Sequence, residues 1–340
     1  MATDIAHDLI DKRIEKLEKR LAREYNTALT GLRRELNDYL NRFKVNDIKM
    51  RNDWLNGKIT RKDYIDWRRN RILDARHYND LIKKLSKDLT NVNQIANEII
   101  YNSLAGSYIE AANYTAYTLE TTMGGEVSFN LYNKEAVGEL LKDDNILLPP
   151  LDPAKAAEIA QKGTQWNMIK ISSAVTQGIL QGESIGKIAN RLQIVTDMNR
   201  AQALRNARTL HNYAENKGRE DRYEQAEKMG VVLMREWLAV HDNRTRDAHR
   251  ELDGVIKRRG EPFQNSIGLI RFPSDPQAAP ANVYNCRCFT RGFILGHPYE
   301  TDRYTKEGYD EWKKGKKAFT QYIASQGWET EYGKHKYGRF

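Results

Sequence analysis

The sequence predicts an α+β fold that is predominantly α, in which long N-terminal helices precede a helical, loop-rich C-terminal domain with a small sheet. Apolar residues recur at helical spacing through most of the chain before Gly230, which indicates amphipathic helices. After Gly230, short apolar runs alternate with stretches rich in Gly and Pro, a pattern typical of short strands joined by irregular loops. We therefore expect the architecture to change near this glycine.

The composition restricts the class of protein. A length of 340 residues exceeds the usual size of a single core, so we expect two domains or one domain with a long appendage. Hydrophobic residues make up 40% of the chain, which is enough to build cores and argues against a wholly disordered protein. No run approaches the roughly 18 apolar residues of a membrane span and no signal peptide is visible, so we expect no membrane span and synthesis in the cytoplasm.

The first predicted helix covers residues 4–44. Its apolar residues step by 4, 3 and 4 positions and then repeat, and this eleven-residue period keeps one stripe on one face of a nearly straight helix. The stripe consists of Ile10, Ile14, Leu17, Leu21, Tyr25, Ala28, Leu32, Leu36, Tyr39 and Phe43. Gly31 lies inside the pattern and makes a break possible at that point.

A turn at Asn56 and Gly57 separates this helix from the next. Thr60 followed by Asp63 resembles a capping box that opens a second helical stretch, and helix is then expected to about Leu119. Residues 121–153 contain two adjacent glycines, a short alternating apolar run and two adjacent prolines. They predict a hairpin or loop region, where we place the main domain boundary.

Helical spacing returns after Pro153. It predicts three helices over residues 154–162, 166–181 and 184–194, with Ser184 as the N-cap of the third, and a further helix over 198–228. The short join at Gly182 resembles a helix-turn-helix. Because helical hairpins are common in domains that never touch DNA, we favour a packing role for it.

The last third of the chain predicts the small sheet. Residues 231–238 form an apolar run that indicates a buried strand, and Gly230 suits the end of the preceding helix. Shorter strands are expected around residues 254–256 and 288–290. The chain is expected to close with an aromatic helix and a basic tail; the helix is marked by Tyr309, Trp312, Phe319 and Tyr322.

Residues 237–288 hold the most informative set of side chains. In chain order they are Trp237; His241, Asp242, Asn243, Arg244, Thr245 and Arg246; His249; Leu252, Asp253 and Gly254; Phe263; Phe272, Pro273, Ser274, Asp275 and Pro276; and Asn285, Cys286, Arg287 and Cys288. This order resembles that of the Mu F-like minor head proteins of phages, with Ser274 where their pattern has glycine. Similar helical residues upstream extend the resemblance over residues 160–292.

Together with the predicted elements, the resemblance divides the chain into four parts. Residues 1–120 form a long-helix region, 121–153 a hairpin or loop linker, 154–298 the Mu F-like head-morphogenesis domain, and 299–340 a C-terminal helix with a basic aromatic tail. Within the third part, a structural motif is expected from Trp237, Asp242, Arg244, Arg246, Asp253, Gly254 and Asn285.

The resemblance also implies a function. It implies a minor capsid protein of a tailed phage that is not an enzyme and acts in head assembly, with genome delivery as a further possible role. The implied partners are the portal protein, a capsid or scaffolding protein and double-stranded DNA. The implied location is the virion interior near the portal, after synthesis in the host cytoplasm. An assembly factor absent from mature particles is an alternative.

A zinc site is one interpretation of the histidines and cysteines in this segment. His249, Cys286 and Cys288, with His241 or Asp242, offer the imidazole and thiolate ligands that zinc prefers. The single residue between the cysteines is shorter than the usual spacing in structural zinc sites. Buried packing thiols beside a hydrogen-bonded histidine are therefore the alternative, and no other cofactor is expected.

A metal-dependent nuclease, or another effector delivered with the genome, is the alternative function. Asp242, His249 and Asp253 could activate water on a bound metal. The structural interpretation is that Asp242 turns the chain and that Arg244 and Arg246 pair with acids such as Asp253 or Asp275. No nucleophile elbow or phosphate-binding glycine loop is visible in the sequence.

The charge balance favours a polyanionic partner. Lys and Arg total 55 against 46 Asp and Glu, a net charge of +9, which suits sequence-nonspecific binding to DNA but also occurs on ordinary solvated surfaces. The densest basic groups lie in the C-terminal part, where the tail also carries aromatic rings that can stack on bases. They are Lys257, Arg258, Arg259, Lys313, Lys314, Lys316, Lys317, Lys334, Lys336 and Arg339.

Overall fold

A computed structural model describes residues 4–73, 76–124, 127–130, 153–294, 314, 317–319 and 321. It confirms the α+β class with a large excess of helix. The helices are α1 (Ile5–Asn41), α2 (Lys44–Leu55), α3 (Arg61–Arg68), α4 (Arg76–Thr122), α5 (Pro153–Leu180), α6 (Ile185–Lys228), α7 (Asp247–Arg250) and α8 (Pro280–Val283), with a π-helical turn at Arg69–Leu73. The strands are β1 (Leu233–Leu238), β2 (Ile256–Arg258), β3 (Phe263–Asn265), β4 (Gly268–Ile270) and β5 (Phe289–Ile294).

The chain forms two compact units. Unit 1 comprises Met1–Lys16, Tyr101–Leu147 and Arg205–Phe340, and unit 2 comprises Leu17–Ile100 and Leu148–Leu204. Helices α1, α4 and α6 each contribute residues to both units. The predicted linker at 121–153 lies mostly outside the described residues, so the four predicted parts of the chain stay predictions.

In unit 2, most of the predicted apolar stripe is buried, whereas Ala28 is half-buried and Phe43 is half-buried and lies beyond the end of α1. Leu17, Leu21, Tyr25, Leu32 and Leu36 are each at most 7% exposed. The helix continues through Gly31 without a break. Burial of a continuous stripe outweighs the helix-weakening effect of one glycine, which amounts to about 1 kcal/mol.

The predicted capping box is confirmed at the start of α3. The hydroxyl of Thr60 accepts a hydrogen bond from the backbone of Asp63, whose carboxylate accepts one from the backbone of Thr60. At the end of α3, buried Arg68 donates to the backbone carbonyls of Ile179 and Glu183, both at 2.9 Å. A cation at the C-terminus of α5 satisfies carbonyls that the helix leaves unpaired. The join at Gly182 thus packs against α3.

The helices predicted after Pro153 are longer than expected. The segments 154–162 and 166–181 are one helix, α5, and the segments 184–194 and 198–228 are one helix, α6. Polar residues at or next to the predicted breaks bond back to their own helices: Thr164 donates to the carbonyl of Ala160, and Asn199 to that of Val195. Asn199 also donates to Asn167 within unit 2. Side chains with such partners are compatible with a helix interior.

In unit 1, β1 is the central strand of an antiparallel sheet with the order β2-β1-β5. Helix α6 ends at Lys228, and Gly230 just beyond it has φ +90°, while Val231 donates to the carbonyl of Ala226. This is the glycine-terminated helix end that the sequence predicts. A separate hairpin pairs β3 with β4, which the sequence analysis did not predict. No helix in the described part of the chain is long and apolar enough to cross a membrane.

The predicted C-terminal helix lies mostly outside the described residues. Lys317, Ala318 and Phe319 are helical, and Phe319 is buried. Its ring lies 5.0 Å from that of Tyr114, edge to face, within unit 1. Tyr309, Trp312, Tyr322 and the basic tail are not among the described residues.

A buried group of charges joins the start of α1 to α6 in unit 1. Arg219 donates two hydrogen bonds of 2.7 Å to Asp4 and one of 2.9 Å to Glu215. The ring of His7 contacts Glu215 at 2.9 Å and stacks on Phe289 of β5, with ring centroids 4.3 Å apart. These contacts hold the start of α1 against α6 and against the first residue of β5.

The pKa of His7 predicts a pH dependence of stability. Burial lowers this pKa, but the charge and hydrogen bond of Glu215 outweigh burial and raise it from 6.5 to about 9. Because the folded-state pKa is the higher one, the contribution is complete below pH 6.5 and is lost as pH rises through about 9. We expect the free energy of unfolding, measured in urea, to fall by about 2–3 kcal/mol across this range, in addition to the contributions of other groups.

Two variants separate the contribution of His7 from that of other groups. His7→Gln should be less stable at pH 6.5 and should lack this part of the decline toward pH 9. His77→Gln changes a histidine whose side chain is 71% exposed and should keep the wild-type profile. Parallel profiles for wild type and His7→Gln would contradict the assignment.

Candidate functional site

The informative segment begins in β1 with Trp237, which is fully buried. Its ring lies 5.2 Å from that of Phe263 and 5.7 Å from that of His249, in both cases close to edge-on. The backbone of Gly254, at φ +76°, donates to the carbonyl of Trp237 at 2.8 Å. The turn at Leu252 and Gly254 therefore closes directly onto the strand, and its left-handed residue is one that glycine suits best.

Asp242 shapes the turn that follows β1. One of its carboxylate oxygens accepts hydrogen bonds from the backbone of Arg244 at 2.9 Å and of Thr245 at 3.1 Å. The side chain of Arg287 donates to both oxygens, each at 2.6 Å. This fork-like pairing is the main cause that lowers the pKa of Asp242 well below its usual range. Asp242 therefore stays ionised and links the turn to the cysteine segment.

The other motif residues also make structural contacts. Arg246 donates to the carbonyl of Tyr284, and the backbone of Asn285, at φ +55°, donates to Thr209 of α6 at 3.0 Å. Ser274 adopts φ +63°, the conformation that glycine favours, and its buried hydroxyl accepts a hydrogen bond from Asn212. The serine thus keeps a glycine-like backbone because its side chain gains a partner in α6.

The prediction that Arg244 and Arg246 pair with Asp253 or Asp275 is wrong. Arg244 pairs with Asp242 instead of Asp253 or Asp275, and Arg246 binds a carbonyl. Asp253 accepts from the backbone of Ala239 and pairs with His241. Asp275 pairs with Arg271, four residues before it. Asp253 and Asp275 thus pair with residues other than the arginines of the turn.

Three of the four predicted metal ligands converge. The Nδ1 atom of His249 lies 3.6 Å from the sulfur of Cys286 and 3.4 Å from that of Cys288. All three residues are buried, and their ligand atoms lie within 4.8 Å of one another. His241 is not part of this group, because it is largely exposed and its Nε2 contacts Asp253 at 2.5 Å.

The surroundings of the two thiols shift their pKa values in opposite directions. Burial raises the pKa of Cys286, but hydrogen bonds from Cys288 and His249 outweigh burial and lower it. The hydrogen bond with Cys286 raises the pKa of Cys288, and burial raises it further. One sulfur is thus favoured as a thiolate beside the imidazole, which is the form that binds metals.

The three residues of the predicted nuclease group, Asp242, His249 and Asp253, each bind a different partner. His249 faces the thiols, Asp242 is paired with Arg287, and Asp253 is paired with His241. An open cleft outside the thiol group is lined by Ala239, His241, Asp242, Arg250 and Asp253. The histidine of that cleft is His241 and not the predicted His249.

Two arginines of this segment were missed as positioning residues. Arg287 lies between the two cysteines and holds Asp242. Arg235 is buried in β1, pairs with Glu220 at 2.8 Å and donates to the carbonyls of Arg258 and Glu261. Its position two residues before Trp237 places it on the same inward face. An arginine two residues before a buried strand tryptophan is the sequence feature that could have indicated this buried structural role.

The predicted basic residues fall into three groups. Lys257 and Arg258 lie on the edge strand β2, and neither side chain has a charged partner within the described residues. Arg259 is paired with Glu227 at 2.5 Å. Lys314 and Lys317 are exposed and helical. The others lie outside the described residues, namely Lys313, Lys316, Lys334, Lys336 and Arg339.

Comparison with known proteins identifies relatives of this segment. The family model described as Phage Mu protein F like protein matches residues 169–291, close to the span that the resemblance predicted. The Minor head protein GP7 of Bacillus phage SPP1 is 25% identical over 320 residues, which cover 91% of this chain and 96% of that protein. The NAD(+)--arginine ADP-ribosyltransferase EFV of Enterococcus faecalis is 28% identical over 203 residues, 58% of this chain and 40% of that protein. No solved structure matches.

Proposed function

We propose that this chain, which carries a Phage Mu protein F-like domain over residues 169–291, is a minor head protein that acts in phage head morphogenesis. One observation carries this function. The similarity to the minor head protein of Bacillus phage SPP1 extends over 91% of this chain and 96% of that protein. The similarity thus includes the long N-terminal helices as well as the motif segment.

The finer role that we propose is at the portal, inside the capsid and in contact with packaged DNA. Its support is physical: a net charge of +9 suits a position beside densely packed phosphates. Genome delivery is part of the same proposal, as are contacts with the portal protein and with a capsid or scaffolding protein. Synthesis takes place in the host cytoplasm.

Mass spectrometry of purified particles tests the proposed location. We expect the chain in DNA-filled heads and in a pull-down with the portal protein. Its presence in immature heads together with its absence from mature particles would favour an assembly factor. Its absence from every head form, with no retention by the portal, would overturn the proposal.

We propose no catalytic activity for the chain. The ADP-ribosyltransferase relative is matched over 40% of its length, so most of that enzyme has no counterpart here. The nuclease alternative needs Asp242, His249 and Asp253 to act together, but His249 faces the thiols, away from the cleft that Asp242 and Asp253 line. Cleavage of DNA with Mg²⁺ or Mn²⁺ that is lost in Asp242→Ala, or transfer of ADP-ribose from NAD to arginine, would overturn this part.

DNA binding is expected to depend steeply on salt and to involve the edge of β2. Replacing Lys257 and Arg258 by glutamate should weaken binding to all sequences equally. It should also reduce the slope of log affinity against log salt by about 2, since each phosphate contact contributes about 0.9 to that slope. Fluorescence anisotropy with two unrelated DNA duplexes measures both effects.

A control variant separates local contacts from net charge. Lys162→Glu with Lys228→Glu changes the charge by the same amount, but these lysines are already paired with Glu158 at 2.6 Å and Glu224 at 2.9 Å. We expect a salt slope close to that of the wild type. Equal slopes for both double variants would contradict a role for the β2 edge, and affinity independent of salt would exclude this mode of binding.

A further inference from the structure

The geometry of His249, Cys286 and Cys288 points to a metal site, and we propose that these three residues bind one zinc ion. The ligand types are those that zinc prefers, namely an imidazole nitrogen and two sulfurs. All three are at most 2% exposed. The proposal concerns a structural site and does not depend on the proposed function in phage heads.

The distances between the ligand atoms fit a tetrahedral site. With zinc at about 2.3 Å from sulfur and about 2.0–2.1 Å from nitrogen, tetrahedral angles place nitrogen and sulfur about 3.5 Å apart. The observed separations from Nδ1 of His249 are 3.6 Å to Cys286 and 3.4 Å to Cys288. The ligands could therefore close on an ion with little movement of the backbone.

The course of the chain explains how two cysteines with one residue between them can bind the same ion. Cys286 and Cys288 lie just before β5, and both sulfurs face His249 while Arg287 between them binds Asp242, an alternation like that along a strand. Both sulfurs consequently reach the same nitrogen of His249, which α7 supplies from 37 residues earlier.

A bound metal ion would also stabilise this segment, which consists of short elements around a small core. Strands β2, β3 and β4 have three residues each, and α7 and α8 have four each. The local core is a small cluster that includes Trp237, Leu252, Phe263 and the two cysteines. Segments with little regular structure and a small core gain stability from an ion that cross-links them.

The described residues supply three ligands, so the fourth position falls to a water molecule or to a group outside them. Binding requires both sulfurs as thiolates, and the two thiol protons pass to solvent. The stoichiometry is one ion per chain.

Metal analysis and cobalt substitution test the site on the full chain. Protein prepared with zinc supplied should contain one equivalent after desalting. With Co²⁺ in place of zinc, absorption from thiolate-to-metal charge transfer and tetrahedral d–d transitions should appear. A chelator should remove the ion and lower Tm. The wild-type cobalt spectrum needs no variant, so it decides the question even where a substitution prevents folding.

Matched variants identify the ligands. Cys286→Ser, Cys288→Ser and His249→Asn should each reduce the bound zinc to near zero, whereas His241→Asn changes a histidine outside the group and should retain one equivalent. Wild-type protein that takes up no stoichiometric zinc and shows no cobalt charge-transfer band would overturn the proposal and leave two buried packing thiols. Zinc retained by all three ligand variants would overturn it equally.

Discussion

Replacing Arg219 by methionine should lower the free energy of unfolding of unit 1 by about 3–5 kcal/mol. Arg219 is 2% exposed and donates to Asp4 and Glu215, both of which are buried. Methionine matches much of the arginine stem but removes the guanidinium that bonds both carboxylates, so that among the described residues Glu215 keeps His7 as its positive partner. An uncompensated buried charge is costly because it has lost its water without gaining a partner.

The same substitution at an exposed arginine provides the control. Arg244 is 71% exposed in its side chain and pairs with Asp242 at 3.3 Å, so Arg244→Met should change stability by less than about 0.5 kcal/mol. Adding Glu215→Gln to Arg219→Met should recover part of the loss, because it removes one of the unpaired charges. Urea denaturation followed by circular dichroism measures all three, and a loss below about 1 kcal/mol for Arg219→Met would contradict the assignment.

The helical part of the fold was predictable because its signal is local. The eleven-residue apolar period of α1 and the Thr60 cap of α3 each depend on residues within a few turns. The β1 strand was likewise visible as an apolar run after a helix-ending glycine. The prediction divided α5 and α6 into shorter helices at segments that carry polar residues. Some of the partners of these residues, such as Asn167 for Asn199, lie far away in the chain.

The pairing of charges could not be read from the sequence. Asp4 and Arg219 are 215 residues apart and Asp242 and Arg287 are 45 apart, and no local pattern specifies such pairs. The β3 and β4 strands were missed because three residues are too few to show an alternating period. The predicted pairs of Arg244 and Arg246 failed for other reasons, since Arg244 pairs with Asp242 two residues away and Arg246 binds the carbonyl of Tyr284.

The thiol group was predictable from chemistry more than from pattern. His249, Cys286 and Cys288 were chosen because histidine and cysteine are the ligands zinc prefers, and the structure brings them together. His241 was included because a closed tetrahedral site needs four ligands. Its side chain is largely exposed and lies beside Asp253. Residue type alone therefore did not distinguish His241 from the buried His249.

Replacing Trp237 by alanine should lower the free energy of unfolding of unit 1 by about 3–5 kcal/mol. The indole is fully buried at the centre of the cluster that contains Phe263, Leu252 and both cysteines. Its removal leaves a cavity that the short elements around it cannot fill without losing the hydrogen bonds at Gly254 and Val255. Because the ring also packs edge-on against His249, the ligand geometry of the thiol group should loosen as well.

Trp166→Ala is the matched control, since that tryptophan is 38% exposed and its main polar contact is with Lys170, 5.6 Å from the ring. We expect a loss of about 1 kcal/mol or less for it. The proposed zinc ion sharpens the comparison, because a metal that cross-links α7 to the segment before β5 should offset part of the Trp237→Ala loss. The variant should therefore fall further below the wild type in chelator than in zinc. Equal stability of the two tryptophan variants would show that the cluster around Trp237 does not support the fold of this segment.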